Sequence, residues 1–460
     1  MIHKSVQDYF LNELTNYSCY STLRMIASAI DGLKNSSRKI INTALDKKLN
    51  TETKVSIFDN MVQSHTQYLH GSCSGVIQNM AASYTGSNNI PLLEGKGNFG
   101  SRFINEPAAP RYIYVKNKKY INELFDIKDV LISQNFEGTE IEPVFYVPSL
   151  PMLVLNGSMN GLASGFKQNI LPRNIDDVIK YIKGKKVNLK PYIAGFKGVV
   201  ERVVDTNTNN VQWDFVGVVE VNKNKATITE IPPFIEYTKY LEILDNLIES
   251  KKIKSYKDLS DQRNQEFKFE VLFFDIISKE KAVDILKLSK RETEIYNALD
   301  ENNQVKTFEN IESIIDYYID IRKKFLIKQK DFDLKVLEND LNINIQKLKF
   351  VKLIIDSEIR IMKRSKKDIE IELETRGFTK LDGNYDYLLK MPIHSFTNET
   401  FEKLIQDAKE IKSKFEVLKN LDIFKNYVES LDSIKKILNK VWVILSEVKM
   451  IKKYFSLNIL

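Results

Sequence analysis

The chain has 460 residues, 43% of them hydrophobic, and a formal net charge of +7, enough apolar content for a sizeable core spread over about two to four domains. Its longest apolar runs, such as 145–155, are broken by proline and fall short of the roughly 20 residues a bilayer span needs. The N-terminus MIHKSVQDYF lacks the apolar stretch of a signal peptide, and Cys19 and Cys73 have no metal-ligand spacing, so a membrane is excluded and a reducing, cytoplasmic location is expected. The positive charge permits nucleic-acid binding without requiring it.

Residues 1–18 read as a polar, amphipathic helical arm. In STLRMIASAIDGLKNSSRKIINTAL, Leu23, Ile26, Ala27 and Ile30 recur at helical spacing, and Asp31-Gly32 supplies a closing turn. Ile40, Ile41, Ala44 and Leu45 mark a second helix. Its N-terminal turn carries Lys34, Arg38 and Lys39, and a basic turn entering a helix is a seat for phosphate. A solvated helical hairpin is the plainer reading of the same spacing. Residues 54–84 read as two more helices, with His70-Gly71 between them. A lone histidine is ordinarily structural, and His65 is read that way.

The stretch Gly95–Tyr114, GKGNFGSRFINEPAAPRYIY, carries the chemistry. Gly95, Gly97 and Gly100 permit tight backbone turns, and Lys96, Asn98, Ser101 and Arg102 are candidate phosphate contacts. Arg111 directly precedes Tyr112. A phenol ordinarily titrates near about 10 and is a poor nucleophile unless a cation favours its anion. A guanidinium supplies part of that field and can bind a phosphate oxygen through two parallel hydrogen bonds. The pair suits attack on a phosphodiester, although 21 tyrosines and 68 basic residues make a bare Arg-Tyr dipeptide common by chance. Tyr114 is the rival nucleophile, since strand alternation would put it on the face of Tyr112. Only Tyr112 follows the arginine, so Tyr114 is read as packing.

Farther on, LNGSMNGLASG is a glycine-rich turn that could bury Leu162. Residues 196–280 hold short alternating runs, KGVVERVV, WDFVGVVEV, KATITEI and FKFEVLFF, interrupted by the helix TKYLEILDNLIESKKI. From Ile311 the pattern is helical, with Leu334, Leu337, Leu341, Ile345, Leu348, Ile355, Ile359 and Met362 as a heptad stripe. Phe401, Leu404, Ala408, Ile411, Phe415 and Leu418 form the returning stripe. A stripe of about 40 residues reaches roughly 60 Å, so two antiparallel helices would carry the intervening segment, with Asp382-Gly383 and His394, as a small terminal globule. The apolar tail VWVILSEVKMIKKYFSLNIL reads equally as a packing helix or a partner contact.

GKGNFGS followed by AAPRY resembles the breakage-reunion subunit of type IIA DNA topoisomerases, and the wording is closer to eukaryotic and T-even-phage members than to bacterial ones. The similarity extends over about residues 20–435, through DGLKNSSRK, His70-Gly71, LNGSMNGLASG, KATITEI and the KKDIEIELETRGF segment. Asn35 replaces the family's usual proline, Ser37 stands where bacterial members often have histidine, and only the second of two family histidines is kept, as His70. The resemblance implies an α+β, predominantly helical fold: an N-terminal arm and winged-helix domain over 1–140, a β-rich tower domain over 141–305, a coiled-coil arm with a dimerisation globule serving as exit gate over 306–436, and a helical tail over 437–460.

It also implies roles. Tyr112 would form a 5′-phosphotyrosyl link with Arg111, Arg24 and His70 stabilising the oxyanion, and Leu162 would wedge between base pairs and bend the duplex. Lys34, Arg38, Lys39, Lys96, Asn98, Ser101 and Arg102 would hold DNA. The sequence has no phosphate-binding Walker loop, no ATPase pattern of the family's kind and no D-x-D cluster for Mg2+. ATP hydrolysis and Mg2+ are therefore expected from a separate large subunit with ATPase and TOPRIM domains. The expected partners are double-stranded DNA, a second copy through the gate, and that large chain, in a host cytoplasm if the protein is phage-encoded. The chain ends shortly after the arm, without room for a DNA-wrapping propeller, which favours relaxation and decatenation. The competing readings are a catalytically idle DNA-binding scaffold, a truncated bacterial A-type subunit, and a tyrosine-based strand breaker without passage.

Overall fold

A computed structural model describes residues 5–66, 68, 70–203, 211–361 and 363–438. Met362 of the proposed stripe and the whole of the apolar tail lie outside the described residues. Two compact units emerge, Met1–Lys323 with Val428–Leu460, and Lys324–Tyr427. Both helices and small antiparallel sheets contribute. No described helix is long and apolar enough to cross a membrane.

In the first unit, α1 (Thr15–Met25) stops short of the Asp31-Gly32 turn expected to close it, because Ile26 is extended at φ −99° and ψ 131°. Ala29 donates to the Leu299 carbonyl at 2.9 Å, and Leu299 donates to that of Ala27 at 3.1 Å. Pairing with a later strand thus overrides the helical spacing, while Ile26, Ala27 and Ile30 stay buried. Gly32 has φ +69°, and a Cβ there would lie 2.4 Å from the Leu153 amide nitrogen, so only glycine fits the turn.

α2 (Asn35–Asp46) buries Ile40, Ile41 and Ala44. After β1 (Thr53–Lys54) come α3 (Val55–Thr66) and α4 (Ser74–Ala81), the two expected helices. β2 (Leu93–Lys96) and β1 flank β3 (Tyr114–Asn117) in a three-stranded antiparallel sheet. Val115 faces the core while Tyr114 is half-buried, the alternation a one-sided sheet requires.

β4 (Ser158–Ala163) and β5 (Phe166–Ile170) form a hairpin in which Leu162 pairs with Lys167. β6 (Val199–Val203), β7 (Gln212–Val216) and the later β12 (Ser289–Thr293) make a sheet in the order β12-β7-β6. β8 (Val218–Asn222), β9 (Lys225–Glu230), β10 (Ser255–Asp258) and β11 (Phe269–Leu272) make another in the order β8-β9-β11-β10. Their inward residues Val219, Ala226, Ile228, Phe269 and Val271 pack with Tyr240, Leu244 and Leu247 of α5 (Tyr237–Glu249). β12 (Ser289–Thr293) and β13 (Asn297–Leu299) follow.

α6 (Ile311–Ile355) runs for 45 residues and starts where the helical pattern starts. In the second unit, Leu334, Leu337, Leu341 and Leu348 are half-buried, but Ile345 is exposed and Asn344 is buried in its place. Ile359 lies beyond the end of the helix, in a separate core with Phe350, Ile369, Leu373, Phe378, Tyr385 and Leu388. That core, with α7 (Lys366–Thr375), is the globule. α8 (Asn398–Asn420) is the returning helix, and Phe401, Leu404, Ala408, Ile411, Phe415 and Leu418 are its half-buried stripe among exposed neighbours. The Lys330 ammonium donates to the Lys419 and Leu421 carbonyls at 2.9 and 2.8 Å, tying the two helices together.

Candidate active site

Tyr112 is 68% exposed, and the Arg111 guanidinium carbon lies 5.2 Å from the centre of its ring. The tyrosine is not on a strand with Tyr114, as alternation suggested. It sits in the turn at residues 110–112, and β3 begins only at Tyr114. The reason is local: the Tyr112 amide donates to the Ala109 carbonyl at 2.9 Å, closing a turn that keeps Tyr112 out of the strand.

This turn is held from several elements. Ala108 donates to the Asn98 carbonyl at 2.9 Å, and the buried Gln78 side chain of α4 donates to the Ala108 carbonyl at 2.9 Å. At the start of α3, the Ser56 and Val55 amides donate to the Pro110 and Ile113 carbonyls at 3.3 and 3.0 Å. These are two of the four amides a helix start leaves without intrahelical partners. Gly97, with φ +111°, lies against Ile113, where a Cβ would come within 2.7 Å of the isoleucine Cγ2. Gln78 gives no sequence signal of its own, since its partner lies 30 residues away.

A second cluster gathers residues from three segments. Arg24, His70 and Lys39 line one recess with Tyr20, Asn35, Ser36, Thr66 and Tyr68, around a volume of about 200 Å³. The Tyr20 hydroxyl is hydrogen bonded to His70 Nε2, and the Tyr68 ring meets the imidazole edge-on at 5.7 Å. Burial pushes the Tyr68 phenol above its ordinary value, with the Arg24 charge pulling the other way. The backbone just past His70 is fixed by Asp59, which accepts from the Ser74 hydroxyl at 2.6 Å, the Cys73 amide at 2.9 Å and the Ser72 hydroxyl. Burial would raise the Asp59 carboxyl, but these hydrogen bonds overcome it and hold it well below the usual range, while burial and the neighbouring carboxylate push the Cys73 thiol up. His65 pairs with Asp46 at 2.9 Å, the structural role expected of it.

Three of the expected phosphate contacts have partners within the chain. Arg38 is only 5% exposed and grips Asp31 through Nε at 2.8 Å and a terminal nitrogen at 3.2 Å. Arg102, 9% exposed, pairs with Glu230, donates to the Ile231 carbonyl at 2.9 Å and stacks over Phe267 at 4.5 Å. Lys39 directs its ammonium to Glu142 at 2.8 Å and to the Thr66 carbonyl at 2.8 Å. Arg38 and Arg102 are buried, and a buried cation has to be paired, whereas Lys39 is half-buried and also lines the recess with Arg24 and His70. Ser101 is also engaged: its hydroxyl accepts from the Phe103 and Ile104 amides at 3.2 and 3.1 Å.

Others face outward. Lys96 and Asn98 are exposed, the lysine in a surface pair with Glu52 at 2.6 Å. Lys34 stands at the start of α2, half-buried, and burial pulls its ammonium below the ordinary value. Leu162 is 60% exposed near the tip of the β4–β5 hairpin instead of buried in a turn. Among the described residues, no group of His, Cys, Asp and Glu could hold a metal ion.

The family model for the A-subunit of DNA gyrase/topoisomerase IV matches residues 24–438. DNA topoisomerase 2, mitochondrial, from Dictyostelium discoideum is 30% identical over 94% of this chain and 35% of its own length. The DNA topoisomerase medium subunit of Enterobacteria phage T4 is 29% identical over 94% of this chain and 98% of its own. The chain therefore spans about a third of the Dictyostelium protein but nearly all of the phage protein. Among solved structures, the Plasmodium falciparum topoisomerase II DNA-binding, cleavage and re-ligation domain superposes with a TM-score of 0.83 at 27% identity, covering 95% of this chain and 65% of that one. With its exposed Arg111-Tyr112 turn inside the matched region, the chain belongs to the DNA gyrase/topoisomerase IV A-subunit family.

Proposed function

We propose that this chain is the DNA-cleaving and rejoining subunit of a type IIA DNA topoisomerase, and that it works on double-stranded DNA as a pair of copies. The observation that carries the reading is Tyr112, exposed on a turn clamped by α3, α4 and the Gly97 loop, with Arg111 against its ring. Clamping holds the nucleophile in one geometry before DNA arrives, which is where much of the advantage of a positioned group lies.

The Tyr112 oxygen attacks a backbone phosphorus and loses its proton. The bond from phosphorus to the 3′-oxygen breaks, that oxygen gains a proton, and the 5′-phosphate remains on the tyrosine. Arg111, with Arg24 and His70 of the second cluster, stabilises the oxyanion. The phosphodiester is exchanged, not hydrolysed, so the reverse attack by the 3′-hydroxyl rejoins the strand without a cofactor. Two copies cut both strands, a second duplex passes, and relaxation and decatenation result.

In this reading 1–140 is an arm and winged-helix domain, 141–305 a tower, and 306–436 a coiled-coil arm and exit gate. Leu162 is the bending wedge, and Lys34, Lys96 and Asn98 are the phosphate contacts among the expected set that stay accessible. Ile371 and Ile393, exposed apolar residues of the globule, suit a contact between copies at the gate.

The family's chemistry uses Mg2+, but the donors beside Tyr112 are cationic and phenolic, and Mg2+ takes oxygen ligands from carboxylates. These residues do not fit the ion. It is assigned, with ATP hydrolysis, to a separate large subunit carrying ATPase and TOPRIM domains. Similarity to nearly the whole of a protein named as a medium subunit supports that division of labour. The setting is then a host cytoplasm.

The test mixes the chain with that large subunit, Mg2+ and end-labelled plasmid, then adds SDS and protease. Linear DNA whose 5′ ends are blocked by peptide is expected. Protein-linked 3′ ends, or binding with no adduct at all, would overturn the reading.

A further inference from the structure

The β4–β5 hairpin that exposes Leu162 is anchored by one side chain. Gln168 is fully buried, and its amide is completely satisfied. Its Oε1 accepts from the Ala27 amide at 2.9 Å and from the Ser158 hydroxyl at 2.7 Å. Its Nε2 donates to the Asn297 carbonyl at 2.7 Å and to the Ala27 carbonyl at 3.3 Å.

Where these bonds lead is informative. Ser158 is the first residue of the hairpin, Asn297 opens β13, and Ala27 lies three residues beyond Arg24. The contact is close all along: a Cβ on Gly161, beside Leu162, would meet Gln168 Cβ at 3.0 Å and the Met25 carbonyl oxygen at 3.1 Å. The strand neighbour is pinned too, since Asn297 donates to the Lys167 carbonyl at 2.8 Å. An apolar side chain would fill this space with less desolvation. A four-bonded amide fixes direction and distance as well as volume.

We propose that Gln168 is a positioning residue that locks the Leu162 hairpin to the end of α1, so that the wedge and the Arg24 guanidinium move as one body. The inference rests on the proposed function. A duplex bending over Leu162 pushes on the hairpin, the hairpin pushes on Ala27 through Gln168, and Arg24 is set against the phosphate. DNA that is bound but not bent leaves Arg24 out of place, which ties strand cleavage to correct deformation.

The experiment uses the full chain with Mg2+ and its large subunit on a duplex carrying donor and acceptor dyes and 2-aminopurine at the wedged step. Bend, unstacking and trapped adduct are read on the same samples, with thermal melting to check the fold. Gln168→Asn, one methylene shorter, cannot span both Ala27 and Asn297. It is expected to keep bend and 2-aminopurine signal within about twofold while lowering adduct about 3- to 30-fold, the scale of coupling carried between packed sites. In a Leu162→Ala background the same change is expected to produce no further loss, because the wedge it relays is gone. Should Gln168→Asn lower the melting point so far that the fold is in doubt, Ser158→Ala, which strips one bond from the same oxygen, carries the identical comparison at smaller size.

Losses that multiply independently in the double variant, or bend and adduct that fall in proportion, would reduce Gln168 to a structural residue and overturn the proposal. Unsubstituted protein that bends and unstacks DNA without forming adduct would remove the cleavage reading itself, and this relay with it.

Discussion

Asp59 touches no proposed substrate, yet it sets where His70 stands, through hydrogen bonds from Ser72, Ser74 and the Cys73 amide just past the His70-Gly71 turn. Its carboxyl is depressed in the folded chain, so ionised Asp59 adds stability that is fully present above the ordinary carboxylate value of about 3.9 and is lost as pH falls through the lower folded value. Asp59→Asn is expected to lower stability at neutral pH by about 1–3 kcal/mol and to flatten the acid limb of a denaturation series between those two values. An unchanged acid limb would show that the carboxylate is not held as described. Gly97→Ala tests the other support. The substitution forces a side chain into a φ of +111° and against Ile113, at about 1–3 kcal/mol of strain, and adduct yield should drop with DNA affinity intact. At this scale the sequence was partly readable. Arg111-Tyr112 stood out by adjacency. Arg38 has Asp31 only seven residues away, a pairing within reach of local spacing. Arg102 pairs with Glu230 across 128 residues, a contact that composition and local pattern do not carry.

Elements were easier to read than their connections. α2, α3, α4, α6 and α8 fall where apolar spacing puts them: α2, α3 and α4 each bury a stripe, and α6 and α8 carry half-buried ones. α1 was overextended, since the backbone from Ala27 to Ala29 pairs with Leu299, and such pairing leaves no trace in a local apolar pattern. The glycine-rich segment gives the clearest case of a connection hidden from sequence: Phe103 joins the core of the β8–β11 sheet and stacks on Phe267 at 4.7 Å, with Arg102 beside it. Arg102→Ala would leave the Glu230 carboxylate buried without its partner and is expected to cost about 3–5 kcal/mol in chemical denaturation. It should leave the salt dependence of DNA binding unchanged. Lys96→Ala is the contrast, expected to spare stability and to reduce the slope of log affinity against log salt by about 1. If the two slopes change alike, the division between buried and DNA-facing cations is wrong.

At the scale of the whole molecule, the proposed cycle of bending, cutting and passage would use the clamped Tyr112 turn, the exposed Leu162 and the globule with its own core. The division into Met1–Lys323 with Val428–Leu460 and Lys324–Tyr427 puts the Tyr112 turn and the Arg24–His70 recess in the first unit and the apolar globule in the second. The globule's own core, around Phe350, Phe378 and Tyr385, lets it hold its shape without the first unit's side chains. Replacing Ile393 by Asp is expected to shift copies toward monomer in sedimentation while leaving single-strand adduct formation on nicked duplex measurable. Everything depends, however, on one bond. The most direct measurement traps protein on DNA with the large subunit present and compares the unsubstituted chain with Tyr112→Phe and Tyr114→Phe, followed by mass spectrometry of the nucleotide-linked peptide. The account predicts adduct in the unsubstituted chain and in Tyr114→Phe, none in Tyr112→Phe, and a modified peptide carrying the nucleotide on Tyr112. Adduct that survives in Tyr112→Phe, or a nucleotide found on Tyr114, would contradict it.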